Sequence, residues 1–338
     1  MSKVAGGLVG TGILAAGGYW LWSSQQQPAG KPKNMAFVFI KPHAVTEQTK
    51  QLVKDGLISR GLTVTGEGAL TSEVIDKKKL IDQHYYAIAS KATILKPAQL
   101  NIPKDKFKSA FGVDFDEALS KGIVVNAMDA CKELGCTADE LNTAWASAKK
   151  AGKLVKFGGG FYCGLVEMAG KKPLYVFNGF FMSMRSNFTA PGRSIHYYTV
   201  EWDEAQLSWE DFRGKLLGPT DPKDAPADSL RGKIYSDWKQ LGLTDVPNVG
   251  DNGVHASASP FEGVCERLNW LGKRCRADAY CSSLLKAGMK EKTIQEWSVD
   301  PQVKLESGKK GSIFDAVEDL NASDCTDKLL RLQSMQSE

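Results

Sequence analysis

The chain has 338 residues, enough for two average domains or for one small domain with large insertions. Its 43 basic and 39 acidic side chains leave a formal charge of +4 and are scattered without a basic stripe, which argues against a nucleic-acid binder. The seven cysteines sit at spacings that match no zinc pattern, so free thiols are expected rather than a metal centre or a disulfide framework.

Residues 4–22 carry no charge. As a helix they would extend roughly 28 Å at ~1.5 Å per residue, about the apolar thickness of a bilayer. Tyr19, Trp20 and Trp22 gather at the C-terminal end of the stretch, and Gly6-x-x-x-Gly10 offers a close-packing face. The expectation is a hydrophobic transmembrane anchor over 1–24, with a cleaved signal or targeting segment as the competing reading. Residues 25–34, a polar run with three glutamines, two prolines and a glycine, read as a linker.

The folded part opens with an apolar β-run at 35–40, ended by Lys41-Pro42. Helical spacing follows at 46–60, a second strand near 62–70, and a helix at 76–92 that carries His84 and Tyr85. Helical stretches are predicted at 105–111, 115–119, 127–134 and 138–150. Residues 172–193 read as extra strand material before a core strand at 195–202. A helix at 260–271 is followed by amphipathic helices at 278–287, 293–297 and 313–332.

The chemistry is expected at Asn252-Gly-Val-His255-Ala-Ser257. A histidine among small residues leaves room for a bulky group to reach one ring nitrogen, and with a reference pKa of about 6.5 the ring is substantially neutral at pH 7 and nucleophilic without a strong base. Glu266, eleven residues on in the first turns of the predicted helix, would accept a hydrogen bond from the histidine directly or through Ser257 and steady the cation formed when the ring attacks. The isolated histidines His43, His84 and His196 are assigned structural roles, His84 as a packing residue of its helix.

Lys41-Pro-His-Ala-Val after a strand, Gln83-His-Tyr85 on a helix, Gly-Leu-Val at 164–166, Thr220 eleven residues before Arg231, and Asn252-x-x-His255-Ala-Ser257 occur in an order that resembles the nucleoside diphosphate kinases. The resemblance implies an α/β (α+β) fold, a ferredoxin-like βαββαβ antiparallel sheet covered by helices. It places the kinase-like domain at 35–272, with a helical insertion at about 93–156 and a C-terminal helical extension at 273–338. It implies a ping-pong phosphotransferase in which His255 takes the γ-phosphoryl group of a nucleoside triphosphate and hands it to a diphosphate. Tyr85, Ser257 and Glu266 would line and orient the histidine. Lys41 and Asn252 would hold the sugar hydroxyl, Phe161 would stack on the base, and Thr220 and Arg231 would bind phosphate. Magnesium is expected, held mainly through the nucleotide phosphates.

The sequence also departs from that pattern. A second phosphate-binding arginine is expected at position 214, which is glycine, with Arg213 beside it as the replacement. His43 and Ala258 stand where the family has acids, and are read as drift with altered capping. The alternative function is a catalytically weak or inactive structural subunit of an organellar membrane assembly. Family members are symmetric oligomers, so a homo-oligomer is a further expectation. Lys31 and Lys33 after the apolar stretch, against Lys3 before it, lean the folded part toward the nucleotide-rich side of the membrane. The mitochondrial inner membrane is the expected location, and the cytoplasmic face of another membrane is the alternative.

Overall fold

The computed structural model describes residues 32–336. The expected anchor and most of the linker lie outside the described residues, among which no helix is long and apolar enough to cross a membrane.

Two four-stranded sheets organise the chain. Their strands are β1 (Asn34–Ile40), β2 (Thr63–Thr71), β3 (Val124–Asn126), β4 (Leu154–Gly158), β5 (Phe161–Val166), β6 (Leu174–Phe177), β7 (Ser194–Trp202) and β8 (Val254–Ala256). The first sheet has the order β2-β7-β1-β8 with every neighbouring pair antiparallel. Helices lie between β1 and β2 and between β7 and β8, so the two strands in the middle are the first and third of the four, as in the expected βαββαβ frame. The second sheet has the order β3-β6-β5-β4 and is antiparallel except for the β3–β6 pair.

The pleat of β1 explains its unbroken apolar sequence. Ala36, Val38 and Ile40 point to one face and share a core with Val53 and Leu57 of the helix Glu47–Ser59 and with Leu230 and Ile234. Phe37 and Phe39 point to the other and pack with Ile75, Leu80, Ile81 and Trp270. Both faces are covered, so alternation with polar residues has no place here. Each fully buried phenylalanine contributes about 1.5–3 kcal/mol. Thr46 caps the helix Glu47–Ser59 by accepting from Thr49 N.

A third core, around Phe261, Tyr280, Trp297 and Leu329, joins the helix Pro260–Leu271 to the C-terminal helices. The buried pair Arg267–Asp278 crosses it, with Nε 2.6 Å and Nη2 3.0 Å from the carboxylate oxygens, while Nη1 donates to Met35 O of β1 at 2.8 Å. Breaking this pair from one side would leave a buried charge.

Several expected elements differ in the structure. The helix at 76–92 is broken: Lys79 adopts a left-handed conformation at φ 53° between the helices Ser72–Lys77 and Leu80–His84, and Tyr85 interrupts the next turn. The insertion at 93–156 is not purely helical, since it supplies β3 and β4. Within 172–193 the strand is Leu174–Phe177 alone, and Phe181–Thr189 is a helix with Phe181 and Phe188 buried. The helix at 313–332 divides into Ile313–Val317 and Ala322–Met335, with Asp319 left-handed at φ 59° between them. Cys275 and Cys281, expected as free thiols, form a disulfide across a short turn, whereas Cys131, Cys136, Cys163, Cys265 and Cys325 are free.

Candidate functional site

β8 pairs with β1 so that His255 stands opposite Phe39. Residues opposite one another share a face, which puts the imidazole on the Phe37/Phe39 side of the sheet and leaves Val254 and Ala256 in the other core. The ring stacks on Phe39 with centroids 4.6 Å apart and meets the edge of His84 at 4.7 Å. The helix Pro260–Leu271 packs on the same face of β1. Gly263 permits its close approach, since a Cβ there would lie 2.7 Å from Met35 O. Three residues further along that helix, Glu266 reaches the histidine: its Oε1 is 2.6 Å from His255 Nε2, and its Oε2 accepts from Ser257 Oγ at 2.5 Å. Ser257 is fixed by accepting from Phe37 N at 2.9 Å. Of the two routes left open by the sequence, the direct bond forms, with Ser257 supporting the carboxylate.

Nε2 is therefore the nitrogen that faces Glu266, and Nδ1 has no hydrogen-bond partner among the described residues. Burial first, then the charges of Lys41, Arg231 and Arg213, hold the imidazole pKa well below its ordinary value, so the ring is neutral at pH 7. Burial pushes Glu266 up to about 7, against the opposing pull of His84, Ser257 and Arg267. Glu262, one turn earlier and accepting from Ala258 N at 3.1 Å, is pushed up to about 8 by burial and by Glu266.

His255 lines a pocket of about 660 Å³ with Lys41, Tyr85, Arg213, Thr220, Arg231 and Asn252. Arg231 is buried and donates from Nε and Nη2 to Val254 O at 3.1 and 3.0 Å and from Nη1 to Gly218 O at 2.8 Å. Three of its five donors thus fix the backbone beside the histidine, and two are left for a ligand. Burial, then the neighbouring Arg213, lowers it to about 10. Lys41 follows β1 directly, donates to Gly250 O at 2.9 Å, and is brought down to about 8 by burial and by Arg231. Asn252 Nδ2 donates to Thr220 O at 3.0 Å, whereas its buried Oδ1 accepts from nothing among the described residues. A buried acceptor without a donor on the chain can take a hydroxyl or amine of a ligand, or a water. Tyr85 keeps its phenol proton, since burial and then Glu266 raise it to about 12.

The backbone that presents His255 depends on Gly253, at φ +85°, where a Cβ would lie 2.8 Å from Ile234 Cγ2. Gly253 N donates to His43 Nε2 at 3.1 Å, and His43 Nδ1 lies 3.4 Å from Asp251. His43 thus braces the loop that presents His255.

Nine of the ten site residues expected from the sequence gather here: seven on the pocket wall and Ser257 and Glu266 behind the histidine. Phe161 does not. It lies on β5 of the second sheet, packed on Phe157 at 5.3 Å and Phe177 at 5.6 Å. A second pocket of about 430 Å³ shares Lys41, Tyr85, Met184 and Gly250 with the first and offers a different aromatic, Phe180. His84, expected to be a packing residue, belongs to the site: its Nδ1 lies 3.4 Å from Glu266 Oε1, and burial, then His255, drives its pKa down to about 3. His84, His255 and Glu266 bring ligand atoms within 4.8 Å of one another, a set able to hold a metal ion. Both Glu266 oxygens are already used by His255 and Ser257. Gly214 lines the pocket beside Arg213, whose Nη1 is engaged by Glu318 and Asp319.

Neither a family model nor a curated protein sequence matches the chain. Among solved structures it is similar to a nucleoside diphosphate kinase from Encephalitozoon cuniculi, at 12% identity and a TM-score of 0.34 over 72% of this chain and 92% of that one. It is similar to the nucleoside diphosphate kinase of Aquifex aeolicus, at 12% identity and 0.35 over 71% and 95%. An NDP kinase from Pyrobaculum aerophilum gives 19% identity and 0.33 over 71% and 96%.

Proposed function

We propose that the chain is a nucleoside diphosphate kinase-like phosphotransferase working through a phosphohistidine. The observation that carries this is the 2.6 Å contact of His255 Nε2 with Glu266, which leaves Nδ1 as the unshared nitrogen in a pocket that also presents Lys41, Arg213 and Arg231. The Nδ1 lone pair attacks the γ-phosphorus of a nucleoside triphosphate, a P–N bond forms, and the bond to the β,γ-bridging oxygen breaks with its electron pair on the departing diphosphate. The ring becomes cationic, and the Glu266 carboxylate accepts the Nε2–H that bears the charge. The reverse sequence on a second diphosphate returns the neutral ring. Arg231, Arg213 and Lys41 offset the charge on the phosphoryl oxygens, which is where most of the barrier falls in this class of reaction. The free Oδ1 of Asn252 suits a sugar hydroxyl.

Magnesium belongs to this reading. The pocket wall offers oxygen donors of the kind a hard cation takes, on Glu210, Glu318 and Asp319, but two of these are spent on Arg213, so the nucleotide phosphates and water would supply most ligands. Bound there, the ion would neutralise phosphate charge. A tether through residues 4–22 to an organellar membrane, and assembly with copies of the chain, complete the proposal.

The test is exposure of the purified full-length chain to γ-labelled ATP and magnesium. An acid-labile, base-stable label that a different nucleoside diphosphate removes is the expected result, and His255→Ala abolishes it. No label at millimolar nucleotide would sink the reading. One observation then favours the structural-subunit alternative: Arg213, the replacement for the arginine missing at 214, is already paired with two carboxylates.

A further inference from the structure

We infer that Glu318 and Asp319 act as a built-in competitor for the anion site at Arg213, setting how tightly the pocket takes phosphate. This rests on the reading of the pocket as a phosphate site.

The two residues lie at the break between the helices Ile313–Val317 and Ala322–Met335, and both line the His255 pocket. Arg213 Nη1 donates to Glu318 Oε1 at 2.6 Å and to Asp319 Oδ1 at 2.7 Å. The break is pinned. Asp319 N donates to Ala258 O at 3.0 Å, three residues past His255. Asn321 Oδ1 accepts from Trp209 N at 2.8 Å and from Asn34 Nδ2 at 3.0 Å, and Ala322 N donates to Asn34 Oδ1 at 2.7 Å. Asp319 is held at φ 59°, a conformation that side chains with a Cβ seldom adopt unless their surroundings impose it.

The pairing is exchangeable. The side chains of Arg213, Glu318 and Asp319 are 28%, 45% and 42% exposed, so solvent weakens the attraction between them. A phosphate brings more charge and a geometry that fits the guanidinium fork, and it can replace the carboxylates. Until it does, they neutralise Arg213 and repel an incoming anion. Glu262, pushed up to about 8, adds little negative charge beside them at neutral pH. The lysine and two arginines of the pocket therefore face an anion with one of them already answered.

The experiment titrates tripolyphosphate, then ADP, into the full-length chain and into Glu318→Gln/Asp319→Asn by calorimetry at low and at moderate salt. Asparagine tolerates the left-handed conformation at 319, and Glu318→Gln alone serves if the double variant melts early. The expected result is affinity about tenfold tighter in the variant, a gain that shrinks with salt and vanishes when Arg213→Gln is added. Equal or weaker affinity in a variant with unchanged melting temperature overturns the inference. The phosphohistidine label separates the two readings. Tighter binding without label supports the competitor and ends the kinase proposal, label without tighter binding ends the competitor alone, and no binding to either protein ends both.

Discussion

His255 and Glu266 come from different elements on one face of β1, and their 2.6 Å contact makes the charge state of the carboxylate the control on the histidine. Burial keeps the ring neutral well below pH 6.5 and raises Glu266 to about 7, so the carboxylate is the group that titrates near neutrality. The rate of His255 phosphorylation should fall as pH drops through about 7, because a protonated Glu266 no longer stabilises the cationic ring. Glu266→Gln should flatten this limb and slow labelling by about 10- to 100-fold, the equivalent of losing one hydrogen bond to a charged group at ~1.5–3 kcal/mol. Quenched-flow labelling from pH 5.5 to 8.5 checks it, and an unchanged acid limb in the variant would refute the assignment.

The same burial makes stability depend on pH. Glu262 and Glu266 have folded values of about 8 and 7 against an ordinary 4.5, so the folded chain keeps protons that the unfolded chain has released, and stability falls as pH rises through that window. His84, at about 3 against 6.5, acts oppositely: the unfolded chain gains its proton below 6.5, and stability falls as pH drops. Of these three groups, only the carboxyls act between pH 6.5 and 8. The slope there is at most ~1.4 kcal/mol per pH unit for each group. Glu262→Gln keeps the acceptor for Ala258 N and should raise the melting temperature more at pH 8 than at pH 6. An equal shift at both would count against a neutralised Glu262.

Much of the centre was legible because its chemistry is local. Asn252, His255 and Ser257 lie within six residues, and Glu266 follows on a helix whose register brings it back to the strand. Phe161 lies apart from the His255 pocket because a phenylalanine before Gly-Leu-Val carries no record of which sheet it joins, and β5 pairs within the second sheet. Glu318 and Asp319 were hidden by continuous helical spacing across 313–332. The chain breaks there without glycine or proline, at a left-handed aspartate fixed by tertiary hydrogen bonds. The Cys275–Cys281 bridge has a spacing that free cysteines share. His84 packs as expected, against Phe39, Tyr85 and Trp270, and also against the edge of His255.

Gly253 ties backbone conformation to chemistry. Gly253→Ala places a Cβ against Ile234 at φ +85° and should cost about 1–3 kcal/mol of stability. Because the neighbouring Val254 O is the acceptor for Arg231, the shift should also weaken nucleotide binding. Chemical denaturation and nucleotide titration check the two effects together, and loss of stability with intact affinity would show that the loop and Arg231 move independently.

If the pocket takes a nucleotide as proposed, the aromatic available for stacking on its base differs between sequence and structure. Phe180 lines the pocket that adjoins the His255 pocket through Lys41 and Tyr85, whereas the half-buried Phe161 packs on Phe157 and Phe177 with Lys91 Nζ 5.9 Å from its ring centroid. Stacking of a base on an aromatic ring contributes ~1–3 kcal/mol and tolerates any base. Phe180→Ala should therefore weaken purine and pyrimidine diphosphates alike, by about 10- to 100-fold, beyond whatever stability it loses with its contacts to Trp145 and Tyr162. Phe161→Ala, at an equally half-buried residue, should leave affinity intact while lowering stability by about 1–3 kcal/mol through lost packing. Titration of both variants with ADP and a pyrimidine diphosphate, beside their melting curves, separates the two residues. If Phe161→Ala alone weakens nucleotide binding, the nucleotide does not lie in the pocket that runs from His255 past Lys41 to Phe180.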